Sequence, residues 1–219
     1  MLLTNLNLSF IIYNRRYATI VAYYKGVDSM PPIPKYTKEE ITLIAFNMVK
    51  EKGYDMLTAR DLAKKLGTST RPIFTAFENM DALKKEIIYK SAELFKKYKK
   101  DEIEKKEHPE YKATGMAYIR FAKEEKNLFK LLFMRDRTNE KDINELSISD
   151  EVGMITQNLA ISNEEAINFH IKMWVMMHGF ATMLATGYLD LDFETISKIT
   201  TSVYNAIKDG ATKWKILLK

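Results

Sequence analysis

Residues 58–77, TARDLAKKLGTSTRPIFTAF, constrain the fold most, because they predict two short helices joined by a tight turn. Leu62 and Leu66 are four residues apart and share one face of the first helix. Thr58 precedes this helix as a predicted N-cap. Gly67 predicts its end, since glycine adopts the left-handed C-cap conformation without steric cost.

The second helix of this stretch is predicted to begin just after Gly67. Thr68 and Ser69 are the expected cap, and Pro72 falls in the first turn, where its missing N–H does no harm. The residues expected to pack back onto the first helix are Ile73, Phe74 and Phe77. Two such helices form either a DNA-binding helix-turn-helix or an ordinary corner of a helical bundle, and spacing alone leaves both open.

Composition favours an all-α protein, because the chain has only 8 Gly and 5 Pro among 219 residues. The absence of cysteine excludes disulfides, thiolate metal sites and cysteine nucleophiles, and fits a reducing, cytoplasmic setting. Residues 30–100 carry 15 Lys and Arg against 9 Asp and Glu, whereas residues 101–219 have a net charge of −3. This uneven distribution of charge suits an N-terminal part that binds a polyanion, followed by a part with another task.

Three segments are predicted. Residues 1–34 are an N-terminal extension outside the native fold, with a start near Met30 as the hypothesis. Residues 35–89, here called the head, are a DNA-binding helix-turn-helix domain. Residues 90–219, here called the body, are a helical effector-binding and dimerisation domain. The apolar run of residues 8–13 is too short to cross a membrane, so no membrane partner is expected.

The head begins with a predicted capping box at residues 37–40, TKEE, followed by an amphipathic helix that Gly53 ends. Asn79 is the predicted cap of the next helix after the helix-turn-helix. A helix ending in G-Y, then T-x-R-x-L-A-x-x-L-G, then S-x-x-x-I-F-x-x-F and D-x-L, resembles the tetracycline-repressor (TetR) family of bacterial transcription factors. The resemblance covers residues 37–88 without a gap.

The resemblance implies that the second helix of the pair reads a DNA major groove. Arg60 and Arg71 are the foremost candidates for base or phosphate contacts, since a guanidinium bridges two acceptors. The full set of candidate DNA-binding residues is Thr58, Arg60, Ser69, Thr70, Arg71, Pro72, Phe74, Thr75 and Lys84.

Three residues depart from the family pattern. Phe74 replaces a tyrosine, Ala76 a frequent histidine, and Met80 a phosphate-binding lysine. Each change removes a backbone contact rather than base readout. Lys84 and Lys85 are candidates to replace the missing lysine.

The body is predicted to contain further helices. Pro109 opens one, an apolar segment runs from Met116 to Phe133, and others cover about residues 150–159, 162–187 and 193–217. A predicted capping box at residues 162–165, SNEE, starts the helix at 162–187, and Gly187 is its predicted end. The W-x-x-x-H-G sequence from Trp174 resembles a motif in the ligand-binding half of one branch of the family. The family resemblance also implies a homodimer through the last two helices.

A Met-rich and aromatic cluster in the body has two interpretations. Composition favours ordinary core, whereas the resemblance favours a pocket for an apolar or aromatic small-molecule effector. The predicted effector-binding residues are Phe129, Phe133, Trp174, Met177 and His178. His170 and His178 are eight residues apart, which is poor spacing for a metal site.

No catalytic motif, cofactor site or metal site is recognisable, so an enzyme is not expected. The first hypothesis is therefore a transcription regulator, a ligand-responsive repressor that binds a palindromic operator as a dimer. The alternative is an all-helical small-molecule binding protein or enzyme that does not bind DNA.

Overall fold

The computed structural model describes residues 36–138 and 148–210, which fold into nine α-helices with no β-strand. The predicted all-α class is thus confirmed. The predicted N-terminal extension and residues 211–217 of the predicted last helix lie outside the described residues.

The helices are α1 Lys38–Lys52, α2 Ala59–Leu66, α3 Arg71–Ala76, α4 Met80–Glu104, α5 Glu110–Glu124, α6 Lys126–Phe133, α7 Ser149–Leu159, α8 Asn163–Thr186 and α9 Phe193–Gly210. A single 3-10 turn, Tyr54–Met56, separates α1 from α2.

Helix α1 is amphipathic, as its sequence predicts. Ile41, Ala45 and Val49 are fully buried on one face, which matches the spacing of an amphipathic helix. The helix ends at Gly53, whose φ of 85° lies in the region that favours glycine. The Gly53 N–H donates to the Val49 carbonyl oxygen at 2.8 Å, so the predicted stop is confirmed.

Helix α4 runs without interruption for 25 residues. It begins at the predicted cap, because the Asn79 side chain accepts a hydrogen bond from the Ala82 N–H at 2.8 Å. Leu83 and Ile87 are buried near its start and Phe95 further along. The predicted boundary between head and body, at residue 89, therefore falls inside one continuous helix.

Helix α1 also contacts the body directly, at the break between α5 and α6. Lys50 pairs with Glu125, with Nζ to Oε1 at 2.6 Å. The Asn127 side-chain amide donates to the Lys50 carbonyl oxygen at 3.0 Å. The Tyr98 hydroxyl lies 3.3 Å from the same Glu125 Oε1 and 2.9 Å from Glu124 Oε2, so its one hydrogen is shared between the two carboxylates.

Helix α5 is the centre of the body and packs against α4, α6, α8 and α7. Its buried residues include Ala117, Ile119 and Phe121. The apolar segment predicted from Met116 onward is largely buried, but it is divided between α5 and α6.

The last helices form a second apolar cluster around Ile155, Phe169 and Met173. The capping box predicted at the start of α8 is present, with Ser162 and Glu165 each bonded to the other's backbone N–H. Gly187 ends α8 with a φ of 73°. The predicted start and end of α8 are therefore both confirmed.

Candidate functional site

The helix-turn-helix predicted from residues 58–77 is present as α2, a turn and α3. The Thr58 hydroxyl oxygen accepts a hydrogen bond from the Asp61 N–H at 3.1 Å, as expected of an N-cap. Gly67 ends α2 in the left-handed conformation, with a φ of 62°. Both predictions are confirmed. Each was predictable because it depends only on residues within one turn of the chain.

The predicted start of α3 is wrong. Its N-cap is Thr70 rather than Thr68 or Ser69, and no side-chain hydrogen bond caps the helix. Pro72, in the first turn, has no N–H to be satisfied, which removes one reason for a side-chain cap. The Thr70 carbonyl oxygen instead accepts backbone bonds from Ile73 and Phe74, at 3.1 and 3.3 Å.

The prediction that Phe74 packs back onto α2 is also wrong. Ile73 and Phe77 are buried, but the Phe74 side chain is 47% exposed. Residues 73 and 77 are one turn apart and share a face, whereas residue 74 is rotated away by about 100°. Phe74 therefore lies on the solvent side of α3 and is available to a partner.

The candidate DNA-binding residues lie on the surface of the head. Those that are exposed are Thr58, Arg60, Ser69, Arg71, Phe74 and Thr75, and those that are half-buried are Thr70, Pro72 and Lys84. Arg60 lies in the first turn of α2 and Arg71 opens α3. Within the described ranges, neither guanidinium forms an ion pair or hydrogen bond, so both are open to an anionic partner.

Lys84 has a specific neighbour that the sequence did not suggest. Its ammonium nitrogen lies 4.4 Å from the centre of the Tyr54 ring, a cation–π contact. Burial and then the charges of Asp81 and Asp55 raise the pKa of Tyr54, so the ring stays neutral. The contact holds the positive charge of Lys84 one turn after the start of α4.

The body contains a cavity of about 510 Å³, within the range typical of small-molecule sites. Its wall is built from the six helices from α4 to α9. Eight of the lining residues are aromatic or methionine side chains: Phe95, Tyr111, Tyr118, Phe133, Met173, Trp174, Met177 and Tyr204.

The structure brings three of the five predicted effector-binding residues to this cavity. Phe133, Trp174 and Met177 line it directly. Phe129 is fully buried, and its ring centre lies 5.1 Å from that of Phe133. His178 stacks on Trp174, with ring centres 5.4 Å apart. Phe129 and His178 thus contact lining residues without lining the cavity themselves.

Sequence reasoning missed the lining from α5, although a signal was present. Tyr111, Gly115 and Tyr118 line the cavity and follow the spacing of one helical face. Gly115 also allows the Met177 side chain to approach α5 closely, because an added Cβ would lie 3.2 Å from the Met177 methyl group. The contributions of α4, α7 and α9 had no local signal, since only the tertiary fold brings these helices together.

The wall also contains hydrogen-bonded and ion-paired polar groups. Lys99 pairs with Glu151, with Nζ to Oε1 at 3.1 Å. A hydrogen bond of 3.2 Å joins the Tyr111 hydroxyl to His170 Nδ1. Burial lowers the pKa of His170, although the charge of Glu151 opposes this shift. Lys112 donates to the Thr201 hydroxyl at 2.8 Å.

Both histidines of α8 are bonded to tyrosines. His178 Nδ1 lies 2.8 Å from the Tyr118 hydroxyl oxygen, and burial lowers the His178 pKa. Among the residues that the structure describes, no group of three or more potential ligands is arranged to hold a metal ion. In the same part of the chain, no helix has the length and apolar character needed to cross a bilayer.

Two family models match the chain, and together they cover most of the described residues. Residues 41–87, which include α2 and α3, match bacterial regulatory proteins of the tetR family. Residues 111–203, which include most of the cavity wall, match the tetracyclin repressor-like C-terminal domain. No curated protein matches the chain. The W-x-x-x-H-G resemblance stays a prediction. The chain belongs to the TetR family and is a DNA-binding transcription regulator.

Proposed function

We propose that this regulator is a ligand-responsive repressor that binds a palindromic operator as a homodimer. The observation that carries the proposal is the continuity of α4, a helix of 25 residues. One end of α4 follows α3 after three residues, and further along Phe95 and Lys99 line the cavity. A helix of this length spans about 37 Å, so a shift at the cavity moves the head as well.

In the proposed complex, α3 of each protomer enters a major groove. Arg60 and Arg71 contact bases or phosphates, because both guanidiniums are exposed and bidentate. The supporting contacts come from Thr58, Ser69, Thr70, Pro72, Phe74, Thr75 and Lys84. Phe74 supplies an apolar surface that suits a thymine methyl group or a sugar.

The proposed dimer forms through α8 and α9. Helix α8 exposes Val175 and Met183 on its outer surface, and Tyr188, just beyond its end, is also exposed. Exposed large apolar side chains favour burial against a partner, here a second copy of the chain. Two heads related by a two-fold axis require an operator with two-fold symmetry.

The effector, bound in the cavity, would favour one of two arrangements of α4. A ligand shifts such an equilibrium only by its difference in affinity for the two states. In the arrangement that dissociates from the operator, the spacing of the two α3 helices no longer matches successive major grooves. Repression follows if the operator overlaps a promoter.

The experiment is a fluorescence-anisotropy titration of the protein onto DNA from upstream of its own gene, over a series of salt concentrations. We expect Arg60→Ala and Arg71→Ala each to weaken binding by about 5- to 150-fold, the range of about 1–3 kcal/mol for a base contact. A variant that has lost a phosphate contact would also show a shallower salt dependence, by about one unit of slope.

Lys130→Ala is the matched control, because it removes an exposed positive charge from α6, outside the head, the cavity wall and the two helices of the proposed dimer. It should bind operator like the wild type. Wild-type affinity in both arginine variants would refute the contact assignment, and wild-type binding that is insensitive to salt would refute operator recognition.

A further inference from the structure

The cavity wall contains a lysine that pairs with no carboxylate in the part of the chain that the structure describes. Lys112 lies in the first turn of α5 and lines the cavity. Its ammonium donates at 2.8 Å to the hydroxyl of Thr201 on α9, which also lines the cavity. That hydroxyl in turn donates to the Ser197 carbonyl oxygen at 3.0 Å. The partner of Lys112 is therefore a neutral acceptor.

The bond between Lys112 and Thr201 lies at the rim of the cavity. Both residues line the cavity, and Thr201 is exposed whereas Lys112 is half-buried. Burial lowers the pKa of Lys112, and no described negative charge opposes this shift. An ammonium has three N–H groups, of which Thr201 receives one. An anion at the rim would therefore stabilise the charged form of Lys112 and accept its other N–H groups.

The balance of charge in the lining also favours an anion. The described lining contains two lysines, Lys99 and Lys112, and one carboxylate, that of Glu151. Lys99 and Glu151 pair with each other, with Nζ to Oε1 at 3.1 Å, so their charges offset one another. Lys112 remains as the net positive charge. A carboxylate beside it gains Coulomb attraction and charge-assisted hydrogen bonds, whereas an ammonium is repelled.

The aromatic part of the wall lies further along α5. Tyr118 is six residues after Lys112, which is a rise of about 9 Å along the helix. The rings of Tyr118 and Phe133 meet edge to face with centres 4.7 Å apart. His178 is hydrogen-bonded to Tyr118 and stacks on Trp174, so these rings lie at the same end of the cavity. The cavity thus has a cationic end and an aromatic end.

We propose that the effector is a flat aromatic carboxylate. Its carboxylate binds the ammonium of Lys112 at the rim, and its ring system lies among Tyr118, Phe133 and Trp174. This inference rests on the proposed function, in which the cavity is the effector site. It adds the chemical class of the ligand and the residue that selects it.

The test compares three probes of nearly the same shape by calorimetry on the full chain: 2-naphthoate, 2-naphthamide and 2-naphthylmethylamine. We expect 2-naphthoate to bind about tenfold or more tightly than 2-naphthamide, because only the acid carries a negative charge. The amine, which is a cation, should bind most weakly. Added salt should weaken the binding of 2-naphthoate more than that of 2-naphthamide, since it screens a partly exposed charge pair.

Lys112→Met removes the positive charge and keeps an unbranched apolar side chain. It should reduce the preference for 2-naphthoate over 2-naphthamide to about twofold or less, whereas Lys112→Arg should retain most of the preference because arginine stays charged. Lys130→Met is the matched control, since Lys130 is an exposed lysine of α6 outside the described lining. It should retain the full preference. A thermal melt of each variant verifies that it is folded.

Three results would overturn the inference: equal binding of 2-naphthoate and 2-naphthamide, a full preference for the acid in Lys112→Met, or no binding of any probe. Operator affinity measured with and without 2-naphthoate separates this inference from the proposed function. Selective binding of 2-naphthoate that leaves operator affinity unchanged would support the ligand class and contradict the ligand response.

Discussion

At the scale of the residue, the turn between α2 and α3 depends on the backbone of Gly67. Its φ of 62° is left-handed, and an added Cβ would meet no other atom within 4 Å. The restriction at this site is therefore conformational rather than steric. Gly153, within α7, has equally open surroundings but no positive φ. The two glycines form a natural comparison.

We expect Gly67→Ala to lower the free energy of unfolding by about 1–2 kcal/mol, the cost of the left-handed conformation for a residue with a Cβ. Gly153→Ala should raise it by about 0.5–1 kcal/mol, because glycine inside a helix is unfavourable. Denaturant unfolding of both variants measures the difference. An unchanged stability of Gly67→Ala would show that the turn tolerates another conformation.

At the scale of the element, the junction of α1 with the break between α5 and α6 joins the head to the body. Glu125 is buried there, whereas its partner Lys50 is partly exposed. Oε2 of Glu125 has no partner among the described residues, so the carboxylate depends on what Oε1 receives from Lys50 and Tyr98.

Lys50→Met should therefore destabilise the protein by about 1–3 kcal/mol, since it leaves a buried carboxylate poorly satisfied. Lys100→Met is the control, because its pair with Glu104 is exposed on both sides and such pairs contribute little. Chemical denaturation of both variants is the measurement. Equal loss of stability in the two would mean that burial of Glu125 has no special cost.

The sequence predicted the elements well where the deciding chemistry is local. The caps at Thr58, Asn79 and Ser162 and the stops at Gly67 and Gly187 each need only neighbours within one turn. The exposed Phe74 and the uncapped start of α3 escaped prediction, because a helix of six residues has too little periodicity to separate its buried face from its outer one.

At the scale of the whole molecule, the head was more predictable than the cavity. The spacing of Leu62, Gly67 and Phe77 is continuous in sequence and marks the helix-turn-helix. The cavity joins side chains from six helices, and one of its lining residues, Glu151, lies in a charged first turn that looks like ordinary solvated surface in the sequence. Only the fold reveals that this carboxylate is buried.

The central claim is that two copies of the head read a symmetric operator, and footprinting the full chain tests it most directly. The DNA should include the upstream region of its own gene and genomic fragments retained by the immobilised protein. The proposed function predicts one protected palindrome whose half-sites are about one helical turn, or a multiple of it, apart. Protection of a single half-site without symmetry, or no protected sequence in any fragment, would contradict it.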